Sequence, residues 1–440
     1  MLIYLIQGLA SICMLVKNRN NFIRYMADIT VLYFISYFFA GSFDVSLSLY
    51  VLFLIAGIGK LKKINFTEIV AGVWLLVYTV VGIVHQDAYM TIASVVTRYA
   101  YIIVYICVVC AEEIRVVKET EAADYRYFVR TGLITEALIV IMVWLRDGIG
   151  ARIVTNHQPV GGGIALGITL IVGICYRKKW FTATEMIVYD FLSMILIILS
   201  GTRGYMVIFA LVMAVTGLLY LMDIPDTGKK MMIRVGMVLI VIALGILWIC
   251  VLDHGKTIGT MLRLDESLGY RENENLYVRE LLKRVPWIRK LFGFGFGKSA
   301  AGTREALAAA SLACWNRKYM FGKLLERTIF HNYWYTVLFK QGISGLLMIM
   351  LFYAGMVKRI FENVRDVWIR YFLLMMVAGT MISLTFRITA TCSVLEILLI
   401  GYVIRMAEED TAEKDTVEKD TVEKDTEEGE KTHAEQFKKY

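Results

Sequence analysis

The sequence predicts an all-α polytopic membrane protein with about 12–13 transmembrane helices and one long helical extracytoplasmic loop. Of its 440 residues, 58% are hydrophobic, and the mean hydropathy is +0.60. Soluble domains are usually about 45–50% apolar. The apolar residues form runs of roughly 14 to 20, close to the length that spans a bilayer as a helix. Pro159, Pro225 and Pro286 all fall outside these runs, so uninterrupted helices are expected.

Apolar runs predict where the membrane helices lie. The first run is interpreted as a retained helix, since no basic residue precedes it and no small-residue cleavage site follows it. The predicted spans are 1–16, 27–41, 45–59, 66–84, 92–110, 132–145, 161–176, 184–200, 205–222, 235–252, 332–356, 371–386 and 392–405.

The loops between the runs divide into two alternating sets by charge. One set holds 20 lysines and arginines, whereas the short loops of the other set hold four. Because cytoplasmic loops carry the excess of Lys and Arg, the first set is predicted to be cytoplasmic. Because successive loops alternate between the two sides of the membrane, residues 253–330 are then predicted to lie outside. Their net charge of +6 does not oppose this, because long loops cross the membrane regardless of charge.

Composition divides the chain into four parts. Residues 1–252 hold the N-terminal transmembrane helices, 253–330 the extracytoplasmic loop, and 331–405 the C-terminal transmembrane helices. Residues 406–440 form a charged tail in which a five-residue unit repeats. A charged repeat with few aromatic residues cannot bury a core, so we predict a disordered cytoplasmic tail.

Motifs for metal or nucleotide chemistry are missing from the sequence. No Asp-x-Asp, His-Glu-x-x-His or paired Cys-x-x-Cys motif occurs. Gly297-Lys298-Ser299 ends like a phosphate-binding P-loop, but Phe292 stands where that motif needs its first glycine. The run from Gly293 to Gly297 is better explained as a flexible turn that lets the backbone approach something closely. It is either a plain loop or a substrate contact.

A basic hairpin is the first of three polar features in this apolar background. Arg203 lies in Ser200–Gly204, a tight predicted outer turn between two helices. An arginine at a helix start near lipid needs water or an anion. Arg203 therefore either binds an anionic ligand or extends to the lipid headgroups.

The second feature is a predicted helix in the long loop, from about Asn275 to Leu291. Its apolar residues share one face at helical spacing: Val278, Leu281, Leu282, Val285, Ile288 and Leu291. Arg279 and Lys283 fall on other faces, and Arg271 precedes them. Such a helix could lie on the membrane surface and present cations to a ligand, or lie there with no catalytic part.

His331 is the third feature, because it stands where the long loop re-enters the membrane, beside Asn332. Histidine is the side chain that moves protons near neutral pH. At a membrane interface it is either such a base or a structural hydrogen-bond partner. Gly342 and Gly345 follow in the same apolar run, where small residues permit close helix packing.

All three features share the predicted outer face, where neither ATP nor nucleotide sugars occur. A donor used there must arrive already activated, as a lipid diphosphate does. Arginines can hold a diphosphate through paired hydrogen bonds and stabilise it as a leaving group without a metal. A base could then deprotonate the attacking hydroxyl.

In their order around one long outer loop, these residues resemble the O-antigen ligase and O-antigen polymerase family of bacterial membrane glycosyltransferases. The resemblance covers the architecture of roughly residues 1–405. Three stretches carry it most sharply: Ser200–Gly204, Leu291–Gly295, and His331-Asn332 followed by Gly342 and Gly345. It implies a GT-C-like membrane fold. It also implies transfer of an undecaprenyl-diphosphate-linked glycan to an acceptor hydroxyl, with inversion at the anomeric centre and no metal or cofactor.

The resemblance also implies roles for individual residues. Arg203 matches the family's hairpin arginine and His331 its loop-end histidine, so both are expected to be catalytic. Arg271 and Arg279 both precede the glycine-rich turn, and either matches the family's loop-helix arginine; Arg279 is the one expected to be catalytic. The expected substrate-binding residues are Arg271, Asn332, Gly293 and Gly295.

The implied partners are an undecaprenyl-diphosphate-linked glycan donor, a glycan or lipid acceptor, membrane lipids and polysaccharide-assembly proteins, with no nucleic acid. The implied location is the bacterial inner membrane. Polymerases and ligases share these motifs, and we favour a polysaccharide polymerase. A transporter or flippase of lipid-linked glycans and an inactive scaffold stay open. Transporters often show repeats or interrupted helices, and the sequence has no repeat in its membrane part and no proline-broken helix.

The charge asymmetry predicts the orientation of the chain. In intact cells, a membrane-impermeant thiol reagent should label a cysteine introduced at Ser299, in the loop, and should not label one at Thr416, in the tail. Permeabilised cells should show both labelled, which controls for reactivity. Labelling of the tail but not of the loop in intact cells would overturn the predicted topology.

Overall fold

The computed structural model describes residues 9–10, 13–14, 16–18, 21–40, 64–110, 121–148, 163–199, 209, 264–301, 303–314, 321–326, 330, 332–384 and 397–408. These residues form helices and turns, with no strand among them. The helices are α1 (Phe22–Ala40), α2 (Phe66–His85), α3 (Ala88–Ser94), α4 (Ala100–Cys110), α5 (Ala122–Asp147), α6 (Gly163–Arg177), α7 (Ala183–Leu199), α8 (Leu264–Arg284), α9 (Trp287–Phe292), α10 (Arg304–Ala313), α11 (Phe321–Glu326), α12 (Tyr333–Asn363), α13 (Val367–Leu384) and α14 (397–408). A π-helical turn, Val95–Tyr99, joins α3 to α4.

Three of the described helices, α2, α5 and α12, are long and apolar enough to cross a membrane. Shorter apolar helices lie within α4, α6 and α13. Only 22% of the apolar window of α2 is buried, and its valines and leucines at 73, 76, 77, 80 and 81 are exposed. Apolar surface of this extent needs lipid or another protein to cover it. The protein is a helical membrane protein.

Apolar runs located several helices closely. The spans predicted at 66–84, 161–176 and 184–200 coincide with α2, α6 and α7 to within two residues at each end. The spans predicted at 45–59 and 235–252, with nearly all of the one at 205–222, lie outside the described residues.

Helix α5 is longer than the run that predicts it, 132–145. Its first turns carry two arginines that bond to α7. The Arg126 Nε atom lies 2.8 Å from a Glu185 carboxylate oxygen, and Arg130 donates to the Tyr189 hydroxyl at 3.3 Å. Apolar windows find the part of a helix that crosses lipid and miss the polar turns that extend it. The assignment of both arginines to a loop is therefore wrong.

The long loop has a hydrophobic core of its own. Tyr277, Val278 and Leu281 of α8 are fully buried, and α8 packs against the alanine-rich α10. Burial raises the pKa of Tyr277 to about 12. The prediction that this apolar face lies on the membrane is wrong, because α10 covers it.

A proline divides the predicted loop helix into two. The helix expected from about Asn275 to Leu291 ends at Arg284, and Pro286 is the N-cap of α9. Proline cannot donate the backbone hydrogen bond that would continue α8. On α9, Trp287 and Ile288 are exposed, so the apolar surface suited to a membrane interface lies on this short helix.

A buried ion cluster fixes one end of the bundle. Arg359 of α12 pairs with Glu68 of α2, and its Nε atom lies 3.0 Å from Glu408 of α14. Asn363 donates to Glu408 at 2.6 Å, and the Cys110 thiol of α4 donates to Glu68 at 3.3 Å. Helices α2 and α12 are thereby held antiparallel. We call this the clamp end; the loop end is the opposite one, where α2 ends and α12 begins.

The clamp predicts a large loss of stability from one substitution. Arg359→Leu leaves buried carboxylates without their cation, which costs about 3–5 kcal/mol. Lys358→Leu is the matched control, because Lys358 is exposed and its ion pair with Glu362 is worth about 0–1 kcal/mol. Unfolding of the purified protein in detergent measures both. Equal shifts for the two variants would contradict a buried clamp.

Candidate functional site

An interruption in α12 is the feature around which the site is built. Gly342 has φ 65° and ψ −157° inside a 31-residue helix, and a positive φ of this kind favours glycine. The backbone carbonyls of Phe339 and Lys340 accept hydrogen bonds from outside the helix, from the N–H groups of Phe294 (2.9 Å) and Gly295 (2.7 Å). The expectation of uninterrupted helices is therefore wrong here, because glycine breaks a helix without proline.

The glycine-rich turn, Gly293–Gly297, fits into this interruption. Gly293 and Gly295 both have positive φ, at 68° and 97°. A Cβ atom on Gly293 would collide with the backbone at the break, and one on Gly342 would lie 2.5 Å from the Lys290 carbonyl oxygen. The prediction that these glycines permit a close backbone approach is confirmed, and the partner is α12.

Side chains of α2 and the residue after it satisfy the backbone of the turn. The Tyr78 hydroxyl donates to the Phe292 carbonyl at 3.0 Å and lies 3.2 Å from the Ser344 hydroxyl. The Gln86 carbonyl oxygen accepts from the Gly297 N–H at 2.8 Å. Irregular backbone survives at membrane depth only where protein groups satisfy it. These contacts therefore anchor the turn between α2 and α12.

A second set of contacts ends on one carbonyl oxygen, that of Phe296. Lys340 donates to it through Nζ, and the Ser94 hydroxyl donates to it at 3.2 Å. Arg98, in the π-helical turn, donates to the Ser94 oxygen at 2.9 Å. Arg98 and Lys340 are 4% and 1% exposed. Within the described part of the chain, neither forms an ion pair.

A groove of about 540 Å³ opens beside the turn, between α2 and α12. Its walls are mainly apolar: Trp74, Val77 and Val81 of α2, Leu347 and Met348 of α12, and Phe292. Tyr78 and Ser344 give it a polar patch, and Gln86 and Arg289 lie toward the loop end. Gly293 and Gly295 also line it. We call it the lateral groove.

Arg289 is the arginine that the structure brings to the groove. It belongs to α9, and its Nη1 atom donates to the Gly293 carbonyl at 3.3 Å. Its guanidinium lies over the Phe294 ring, 5.6 Å from the centroid. Sequence reasoning missed it, although its place four residues before the first glycine of the turn was a usable signal.

Two of the expected catalytic residues, Arg203 and His331, lie outside the described residues. Arg271 lies on α8, and its side chain is likewise outside the description. Arg279 is exposed on α8 and does not line the groove. Its neighbour Glu280 has a lowered pKa, because Lys283 bonds to its carboxylate.

Asn332 has a structural role in the site. It is the N-cap of α12, and its side-chain oxygen accepts from the Trp334 N–H at 3.0 Å. Such a cap contributes about 1 kcal/mol. The cap fixes where α12 begins at the loop end.

The buried polar residues of the site were also missed by sequence reasoning. Arg98 and Lys340 lie inside the predicted runs 92–110 and 332–356. A charge inside an apolar span was the signal available, because such residues are costly and usually functional. Gln341 gave no comparable signal, yet its amide is fully buried with no hydrogen-bond partner among the described residues.

Comparison with known proteins adds no family assignment. No family model matches the chain, and no curated protein matches it. Among the described residues, no group of three or more His, Cys, Asp or Glu side chains is placed to hold a metal ion. Fold and site together define a helical membrane protein with a glycine-broken helix, a docked glycine-rich turn and an apolar lateral groove.

The break predicts that Gly342 tolerates no side chain. Gly342→Ala should destabilise the protein by more than about 1–3 kcal/mol, the usual cost of a sparsely populated backbone conformation, because its Cβ also meets α9. Gly72→Ala is the control, since the new carbon would lie 3.9 Å from the Ile106 side chain, an ordinary van der Waals contact. Denaturation in detergent compares the two. Unchanged stability of the Gly342 variant would mean that α12 is continuous.

Proposed function

We propose that the protein transfers or polymerises undecaprenyl-diphosphate-linked oligosaccharides on the outer face of the bacterial inner membrane. The reaction proposed is inverting and independent of metal, and a polysaccharide polymerase is favoured over an O-antigen ligase. The observation that carries the proposal is the lateral groove. It has apolar walls along two membrane helices and an arginine toward its loop end, which suits a long apolar lipid with an anionic head.

The groove has the surroundings that the first part of an isoprenoid chain needs. From Trp74 to Gln86 the chain rises about 18 Å at 1.5 Å per residue, so the groove extends well into the membrane. Val77, Val81 and Leu347 line it and are exposed. A lipid chain can therefore enter sideways from the bilayer. Its diphosphate would lie beside Arg289, next to the glycine-rich turn.

The proposed reaction joins two sugars and releases the lipid diphosphate. The acceptor hydroxyl attacks the anomeric carbon of the donor, the bond from that carbon to the phosphate oxygen breaks, and the diphosphate keeps the electron pair. Arg203 and Arg289 stabilise the leaving group. His331 accepts the hydroxyl proton. The loop-helix arginines Arg271 and Arg279 then serve the glycan or the acceptor.

The fold proposed to surround this site is GT-C-like, with twelve or thirteen transmembrane helices. Residues 253–330 are proposed to lie outside and the tail from 406 in the cytoplasm, on the charge asymmetry of the loops. The loop domain of α8 to α11 then covers the outer end of the groove, where sugars would enter. Membrane lipids and polysaccharide-assembly proteins are the proposed partners.

A transporter or flippase of lipid-linked glycans is the second candidate, favoured by one observation. Helix α12 is interrupted at Gly342, and interrupted helices near polar groups are typical of transporter binding sites. A flippase moves its substrate across the membrane unchanged. An enzyme lengthens or transfers it on one side.

Purified protein in nanodiscs, supplied with an undecaprenyl-diphosphate oligosaccharide, should produce longer lipid-linked chains on a gel. His331→Gln should lower the rate about 10²–10⁴-fold, because glutamine hydrogen-bonds but cannot accept the proton. Arg203→Ala should lower it about 10²–10³-fold. The controls are His433→Gln in the charged tail and Lys283→Ala on α8, and both variants should retain the wild-type rate.

The outcomes separate the two candidates. Movement of the oligosaccharide across a liposome membrane, with no change in its length, would replace the enzyme by a flippase. Normal elongation by both the His331 and the Arg203 variants would remove these residues from the mechanism.

A further inference from the structure

Two buried basic side chains are linked to a single carbonyl oxygen, one of them directly and the other through a hydroxyl. Lys340 donates directly to the Phe296 carbonyl, and Arg98 acts on the same carbonyl through the Ser94 hydroxyl. No carboxylate in the described part of the chain neutralises either one. Phe296 itself is fully buried beneath them.

This arrangement leaves hydrogen-bonding capacity unused. Among the described residues, the Arg98 Nε atom and both polar atoms of the Gln341 side chain are buried without a hydrogen-bond partner. Buried charges in proteins are normally paired with an opposite charge, because an unpaired one costs several kcal/mol. The acceptors here, a carbonyl oxygen for Lys340 and a hydroxyl oxygen for Arg98, carry no negative charge. The site therefore has the donors for an anion and holds a carbonyl in its place.

The glycine-rich turn connects this site to the lateral groove. Gly293, Phe294 and Gly295 line the groove, and Phe296 follows directly on the side of the cations. Glycines at 293, 295 and 297 give the turn unusual backbone freedom. A headgroup at the top of the groove and the two basic side chains are thus separated only by this turn.

We propose that Arg98 and Lys340 form a second phosphate-binding subsite, which the glycine-rich turn closes with the Phe296 carbonyl until a phosphate oxygen takes its place. The ligand class is a phosphate or diphosphate group. For a lipid-linked ligand the inference rests on the proposed function, since the groove then delivers the headgroup. A phosphate brings negative charge to these donors, which a neutral carbonyl cannot, and this charge provides the driving force.

Hydrogen exchange and ligand binding test the subsite together. Amides of Gly293–Gly297 should exchange faster when undecaprenyl diphosphate binds to the wild-type protein in nanodiscs, because the turn is displaced. Lys340→Gln should weaken binding about ten- to a hundredfold, the usual effect of losing a charge-assisted hydrogen bond. Lys358→Gln is the matched control at the clamp end of the same helix, and its binding should equal that of the wild type.

A second variant separates a binding role from a purely structural one. Ser94→Ala cuts the link between Arg98 and the turn but keeps both cations. It should speed exchange of the turn without ligand and retain binding. If Lys340 only fastens the turn, exchange in the wild-type protein would stay unchanged or slow on binding, and Lys340→Gln would bind normally once folded. Either result overturns the subsite.

Two ligands identify the source of the anion. If inorganic pyrophosphate also binds, and Lys340→Gln weakens its binding equally, the ligand of the subsite is a free diphosphate. If only the binding of undecaprenyl diphosphate depends on Lys340, the ligand of the subsite is the lipid headgroup. Binding that depends on Lys340 without glycan elongation would contradict the proposed function alone. If Lys340→Gln changes neither elongation nor binding, the subsite alone is contradicted.

Discussion

The need to satisfy backbone hydrogen bonds inside a membrane governs this structure. Gly342 interrupts α12, and the glycine-rich turn bonds to the carbonyls beside the interruption. Gln86 bonds to the backbone of this turn, and Tyr78 bonds to the Phe292 carbonyl directly before it. Loop and membrane bundle are therefore one structural unit at this point, even though the loop domain has a separate core.

The two ends of α12 serve different purposes. At the clamp end, Arg359 is neutralised by the carboxylates of Glu68 and Glu408, and the cluster holds α2, α12 and α14 together. At the loop end, Arg98 and Lys340 have no such counter-ions in the described part of the chain. In the described part of the chain, the charges at the clamp end are therefore balanced and those at the loop end are not.

Hydrophobic patterning predicted the helices well and their interactions poorly. The helices α2, α6 and α7 could be predicted from the local composition of their apolar runs alone. The break in α12 was not predictable from α12 alone, because the partner that stabilises it lies about 50 residues earlier, in a turn of another segment. The face of α8 was misplaced for the same reason: its covering helix, α10, has no sequence feature that pairs it with α8. Arg98 and Lys340 were visible as charges in apolar runs, but their shared carbonyl was not.

Photo-crosslinking tests the central claim, that a lipid diphosphate occupies the lateral groove beside the docked turn. An undecaprenyl diphosphate analogue with a diazirine in its prenyl chain would be bound to the protein in nanodiscs, and labelled residues would be mapped by mass spectrometry. We predict labelling of Val77, Val81 and Leu347 that unlabelled undecaprenyl diphosphate suppresses. Equal labelling of Ile187 and Val188, exposed on α7, with no suppression by the competitor, would contradict the account.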